Sequence, residues 1–333
     1  MSALPNLPRV FEASTTIFGA YNTIKALERS SDTPEKLILA RILGYLILEG
    51  PNDQARVKVA QEVNSCKTDD DKYVLGKTYM QYFLRVFRKT KGRTPAHSSQ
   101  VSHPSFNAIQ ARLRDKLIRP PEDYQTAKRD ALIRDGHRCP ISGAYDRESL
   151  KIYPELRDMV LKAQVPAYGL HCSHIFPDIV NKGVEEDPSE ETSKTATAKA
   201  NYAASVWAVL ERFGYTTLSE ELDGKNIHRL DNILILDPVA HDHFDHLELW
   251  FEPVPGRKNT LLYQTLRRVP NPQLLELHAA CARVARLSGA GEYIEKVLME
   301  LEDSKVLAKD GGSALALEYA LIPWVNAEIR IEA

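Results

Sequence analysis

A paired pattern in the middle of the chain narrows the fold more than anything else in it. Cys172-Ser173-His174-Ile175-Phe176-Pro177 reads as a strand ending at His174, and Asn232-Ile233-Leu234-Ile235-Leu236 reads as a return strand opening at Asn232. Asp237-Pro238 then starts a short helix, with the carboxylate as its cap and proline at the first helical position, where a missing N–H costs nothing. A β-hairpin leaning on a helix can aim His174, Asn232 and His241 into one small cleft. His241 and Asp245 are four residues apart and share one face of that helix, which is ligand spacing. His243 lies on a different face and His246 falls beyond the pattern.

Composition sets the frame for such a cleft. The chain has 333 residues, 43% hydrophobic and 26% charged, which is globular and long enough for two or three units. A net charge of −2 and a pI near 6.6 give no global attraction for polyanions, so any such binding must draw on a local cluster. One basic stretch, Arg85 to Arg138, has cations outnumbering acids and includes Arg129, Arg134 and Arg138. Solvated helix faces would give the same pattern.

Cys66, Cys139, Cys172 and Cys281 are widely spread and contain no Cys-x-x-Cys pair, which argues against structural zinc. The first residues lack the basic start and apolar core of a signal peptide, and no apolar run approaches the ~20 residues of a membrane span. The expectation is an intracellular protein, cytoplasmic or nuclear, with free thiols and no membrane partner; oligomeric state is not legible.

Along the chain, Thr33-Pro34-Glu35 opens a helix that Gly50-Pro51 stops, and its middle is apolar around most of its circumference, as in a bundle interior. Helices follow over 53–64 and 69–87, so residues 1–93 read as a helical subdomain. Residues 94–122 read as a linker and helix. Asp123 to Asp135 reads as a helix with Gly136 at its C-cap, leading into a turn at Cys139-Pro140-Ile141-Ser142-Gly143. Residues 185–191 are an acidic loop, 195–213 a helix with Val206, Trp207, Leu210 and Phe213 at helical spacing, and 271–289 and 292–308 further helices. Residues 256–333 carry no assignable chemistry and read as a helical C-terminal cap.

With these residues in order, the chain resembles the HNH nucleases of the ββα-metal superfamily, in the version abundant in fungal proteins. The likeness runs from Arg134-Asp135-Gly136-His137-Arg138-Cys139-Pro140-Ile141-Ser142-Gly143, through Ser173-His174-Ile175-Phe176-Pro177, to Asn232 and on to Trp250-Phe251-Glu252-Pro253. It covers roughly residues 123–255, including the helix at 195–213 as an insertion. The resemblance implies an α+β, mainly helical protein with a central ββα-metal (HNH) element, acting as a metal-dependent endonuclease on DNA, or alternatively RNA. It implies His174 as the general base that activates water, and Asn232 as the residue that pins the loop beneath it. His241 and Asp245 are the implied metal ligands. A carboxylate favours Mg²⁺ or Mn²⁺, with Zn²⁺ or Ni²⁺ as alternatives.

One position departs from the superfamily. Ser173 stands where Asp or His usually ligates the metal; the fungal version commonly has a small residue there. The alternatives are that the site binds metal weakly, that it recruits His171 or a water instead, or that it does not cut; His243 is an alternate site residue. Arg129, Arg134, Arg138 and Arg229 are candidate phosphate contacts. His103, His137, His228 and His278 are read as ordinary surface or core residues, and Phe244, Trp250 and Phe251 as core. The competing reading is a non-nucleolytic protein on the same scaffold, either a binding or regulatory module or an enzyme in which His174 serves a small molecule.

Overall fold

The computed structural model describes residues 2–88, 123–178, 202–254 and 269–303. Lys89, Lys91, Arg93, Arg112, Arg114, Lys116 and Arg119 of the basic stretch, the 94–122 span and the acidic 185–191 loop lie outside them, as do residues 195–201 of the inserted helix and 304–333 of the cap. The described residues form two compact units: one within Met1–Thr90, Asp178–Glu220 and Ala279–Ala333, the other within Lys91–Pro177 and Glu221–His278.

The first unit is helical. Helices α1 (Thr15–Ser30), α2 (Pro34–Glu49), α3 (Asp53–Ser65) and α4 (Asp69–Tyr79) each begin at a side chain that accepts a backbone N–H: Ser14, Thr33, Asn52 and Thr68. Thr68 and Asp71 close a reciprocal capping box. The α2 helix is buried nearly all round, from Ile38 to Leu48, as its unbroken apolar run requires. It approaches α4 so closely that a Cβ on Gly76 would lie 2.7 Å from the Leu39 carbonyl oxygen, which only glycine avoids. The predicted helix over 69–87 is helical throughout but passes through a π segment, Met80–Leu84, in which every residue is buried. A π turn shifts helical phase by one residue, so one surface stripe becomes a broader buried one.

The predicted inserted helix is present over residues 202–212 of the described chain. Its contacts fall within this unit. Phe213 stacks on Tyr79 (5.7 Å between centroids) and meets Phe83 edge-on (5.3 Å), Asn52 Nδ2 donates to the Phe213 carbonyl (2.9 Å), and Arg212 pairs with Glu62 (3.3 Å). Helices Pro272–Ser288 and Ala290–Asp303 are separated by Gly289 at φ +84°, the left-handed conformation expected of a glycine stop.

The second unit holds the strands. Helix α5 (Tyr124–Arg134) is capped by Asp123, whose carboxylate accepts from Thr126 N at 2.7 Å, and ends at Gly136 (φ +64°). A short parallel pair, β1 (Tyr145–Asp146) and β2 (Ala167–Tyr168), brackets helices α6 (Arg147–Ile152) and α7 (Pro154–Ala163), none of which the sequence announces by periodicity. The buried Asp146 carboxylate ties this region together, accepting from Ser149 N, Ser149 Oγ and Leu170 N at 2.7–3.0 Å.

The predicted hairpin and helix follow. Strand β3 (His171–His174) runs antiparallel to β4 (Ile233–Leu236), with His171 opposite Leu236 and His174 opposite Ile233. Asn232 sits one residue before the strand, in a 3₁₀ turn, rather than opening it. Helix α8 (Pro238–Asp245) starts at Asp237, whose Oδ1 accepts from Val239 N and Ala240 N at 3.0 and 3.1 Å. No helix among the described residues is long and apolar enough to cross a membrane.

Candidate active site

The hairpin and α8 place the candidate residues in two groups. The first surrounds Asn232. Its buried amide makes three hydrogen bonds: Oδ1 accepts from Phe176 N (2.8 Å), and Nδ2 donates to Phe176 O (3.0 Å) and to Ile227 O (2.9 Å). Its backbone carbonyl accepts a fourth, from Ile175 N at 2.8 Å. Both amide protons are thus used, and the segment that follows His174 is gripped on both its N–H and C=O.

His174 is buried at the end of β3. Its Nε2 lies 3.0 Å from His228 Nδ1, the ring centroids are 5.2 Å apart, and the Tyr124 ring stands 6.1 Å away on a third side. Tyr124 is itself fixed, donating its hydroxyl to the Cys172 carbonyl at 3.0 Å. His228, which the sequence assigns to no site, is thereby the nearest named side chain to the candidate base. Its only sequence signal is its place four residues before Asn232, at the end of a 3₁₀ turn that no periodicity reveals.

The second group lies where α8 meets β3. His241 Nε2 and Asp245 Oδ2 are 3.4 Å apart, and Ser173 Oγ reaches Asp245 Oδ1 at 3.5 Å. Both separations are long for hydrogen bonds between such groups. The His171 ring packs against the His241 ring at 4.9 Å, so His171, Ser173, His241 and Asp245 gather as alternation along β3 and the four-residue helical repeat dictate. His243 turns away to an exposed pair with Glu248 at 2.6 Å. Among the described residues no group of three His, Cys, Asp or Glu side chains has metal-holding geometry.

The arginines separate by environment. The basic run groups Arg134 with surface cations, but its side chain is 4% exposed and its guanidinium is bound to Asp135, to the Ile233 carbonyl at 2.9 Å and to the Leu230 carbonyl. It fastens α5 to the start of β4, because a buried guanidinium must satisfy its donors internally. Arg229 is held by Asp231 (2.6 Å) and Glu221 (3.2 Å). Burial works against its charge, and those carboxylates more than offset it, raising its pKa. Arg129 is more than half exposed beside Asp130, and the exposed Arg138 donates to the Gly143 carbonyl (2.8 Å) over the Tyr145 ring.

The Cys139–Gly143 turn has a defined part in this arrangement. Cys139 Sγ donates to Asp237 Oδ2 at 3.3 Å, so the turn helps hold the cap of α8. Burial pushes the Asp237 carboxyl up, but donors from Ala240, Ser142, Cys139 and Val239 outweigh it and leave the pKa below the usual range.

No curated protein and no solved structure matches the chain. Residues 139–252, which run from the Cys139 turn through β3, the Asn232 clamp and α8, do match a family described as HNH endonuclease. This α+β, mainly helical chain therefore carries, at residues 139–252, a domain of the HNH endonuclease type.

Proposed function

We propose that the chain is a metal-dependent endonuclease that hydrolyses phosphodiester bonds, with DNA favoured over RNA as substrate. The observation that carries this reading is the Asn232 clamp, whose amide holds both the N–H and the C=O of Phe176, two residues after His174, while Ser173 faces the α8 pair. In this reading His174 takes the proton from the attacking water, a step worth on the order of 10²–10⁴ in rate. Asn232 moves no proton and fixes the direction of approach. The inserted helix over residues 202–212, which carries Trp207 between His174 and Asn232 in sequence, supports the fungal version of the family.

The donor set of α8 fits a hard divalent cation. His241 Nε2 and Asp245 Oδ2, an imidazole and a carboxylate one helical turn apart, face each other at 3.4 Å. His241 and Asp245 would hold Mg²⁺ or Mn²⁺, ions that use few protein ligands and complete their shells with water and phosphate oxygens. When bound, such an ion neutralises charge on the phosphate and the leaving oxygen. In this reading the exposed Arg129 and Arg138 contact the nucleic-acid backbone.

A specific observation favours the competing, non-nucleolytic reading: Ser173 offers a neutral hydroxyl where a charged ligand would serve, and no three His, Cys, Asp or Glu side chains among the described residues have metal-holding geometry. Incubation of the protein with plasmid DNA and with RNA, across Mg²⁺, Mn²⁺, Co²⁺, Ni²⁺ and chelator, separates the two. Metal-dependent cleavage that His174→Ala abolishes supports the nuclease. Absence of cleavage in every metal gives the scaffold to binding or to small-molecule chemistry.

A further inference from the structure

We propose that Arg138 is a built phosphate-binding fork: Gly143 and Tyr145 orient its guanidinium so that the terminal nitrogens take one phosphate of the nucleic-acid backbone in bidentate fashion. The inference rests on the reading of the chain as acting on nucleic acid, and it makes Gly143 a positioning residue.

Of Arg129, Arg134, Arg138 and Arg229, all but Arg138 meet a carboxylate: Arg129 that of Asp130, Arg134 that of Asp135, and Arg229 those of Asp231 and Glu221. Arg138 has no carboxylate partner among the described residues. Its one hydrogen bond among them runs from Nε to the Gly143 carbonyl at 2.8 Å, and its Cζ stands 5.6 Å from the centre of the Tyr145 ring. A guanidinium presents its N–H donors as a rigid planar fork. With Nε spent on Gly143 and one face laid over Tyr145, the N–H groups of both terminal nitrogens remain for an anion, and their spacing matches two oxygens of a phosphate. A loose surface arginine gives up rotamer freedom when it meets such a group. One pinned at Nε and over a ring has given up much of it on folding.

The backbone beneath the fork is fixed as well. Arg138 and Tyr145 face each other across an antiparallel bridge, Cys139 N donates to Ala144 O at 2.8 Å, and Gly143 N donates to Cys139 O at 3.0 Å. Gly143 sits at φ +74°, and a Cβ placed on it would lie 2.6 Å from Arg138 Nη2. Glycine at this position is what lets the guanidinium lie against the turn. The adjacent Cys139 donates to the Asp237 cap of α8, so the fork is tied to the helix that carries His241 and Asp245.

The test is fluorescence anisotropy of a labelled duplex DNA, in chelator so that nothing is cut, titrated at several salt concentrations with the parent, Arg138→Lys, Arg138→Gln, Gly143→Ala and the R138K/G143A double variant. Plasmid cleavage in Mg²⁺ and Mn²⁺ is run beside it. Lysine keeps the charge and loses the fork, so R138K is expected to weaken binding about threefold or more with the log–log salt slope unchanged, while R138Q also removes about 0.7–0.9 from the slope. In G143A the added methyl displaces the guanidinium, and binding weakens as in R138K with every charge intact. On the R138K background Gly143→Ala costs nothing further, because the glycine acts through the fork. If circular dichroism shows G143A unfolded, Tyr145→Leu takes its place, with the same non-additive loss expected. R138K binding like the parent, losses that simply add in the double variant, or a parent that binds no DNA would overturn the inference. A parent that cleaves while R138K and G143A bind as it does refutes the fork and leaves the nuclease reading standing. A parent that cleaves nothing in either metal, yet shows the coupled losses, supports the fork and refutes the nuclease.

Discussion

The two sides of the ββα element are built on opposite terms. Around Asn232 every polar atom named is within 2.8–3.0 Å of its partner, in a buried setting that leaves one geometry. Around Asp245 the contacts are 3.4 and 3.5 Å, between groups that approach one another without closing. The first side is closed by short hydrogen bonds; the second is held at longer separations. On the proposed reading, the first side positions the base and the second receives the cation, so the difference separates what the chain fixes by itself from what it leaves to a ligand.

The sharpest way to break this comparison is to remove the base. His174→Ala is expected to lower cleavage by about 10²–10⁴ while metal affinity, read by calorimetry, stays near the parent's. A mutant retaining substantial turnover would move the base elsewhere. On the same side, Asn232→Ala leaves the Phe176 and Ile227 groups without partners and is expected to cost about 2–4 kcal/mol of stability in urea denaturation, as a buried clamp should. On the looser side, His241→Ala or Asp245→Ala should weaken metal binding about 10–100-fold, with activity partly restored by excess metal and little change in unfolding. Parent-like metal binding in both would place the ligands elsewhere.

Smaller effects come from outside the two groups. Charge reversal at Arg129 and Arg138 should reduce the log–log salt slope of nucleic-acid binding by about 0.7–0.9 per lost contact, alike for all sequences, in an anisotropy titration. The smallest concerns pH. Burial lowers the pKa of His137, whose Nδ1 bonds Ser149 Oγ at 2.8 Å. The folded state thus disfavours the proton more than the unfolded chain does. The resulting stability is present above pH about 6.5 and is lost as pH falls below that value through the lowered one. His137→Gln should flatten the dependence of the unfolding midpoint on pH between about 7 and 5.

Much of the hairpin was legible because its signals are local. A carboxylate before proline caps α8, and a four-residue spacing puts His241 and Asp245 on one face. The 139–252 segment that matches the HNH endonuclease family contains these motifs. What the sequence concealed depends on distant partners. His228 sits in a short 3₁₀ turn without periodicity, and its place beside His174 follows from Asn232 gripping two separated backbones. Arg134 looks like its exposed neighbours until the Leu230 and Ile233 carbonyls reach it. The π segment at Met80–Leu84 likewise has no composition of its own, since it arises from how fully that stretch is buried.

The antiparallel register of β3 and β4 also bears on the order in which the molecule assembles. Pairing His174 with Ile233 closes a loop of about 60 residues, and among its described residues Arg212 and Phe213 pack with the N-terminal helices. During synthesis the N-terminal helices over Thr15–Tyr79 emerge early and form local contacts quickly, whereas the hairpin must wait for the long segment between its strands. The imidazoles are therefore brought together late, by a long-range closure. Substitutions that loosen Phe213 from Tyr79 should slow the acquisition of activity during refolding more than they slow the gain of helical signal.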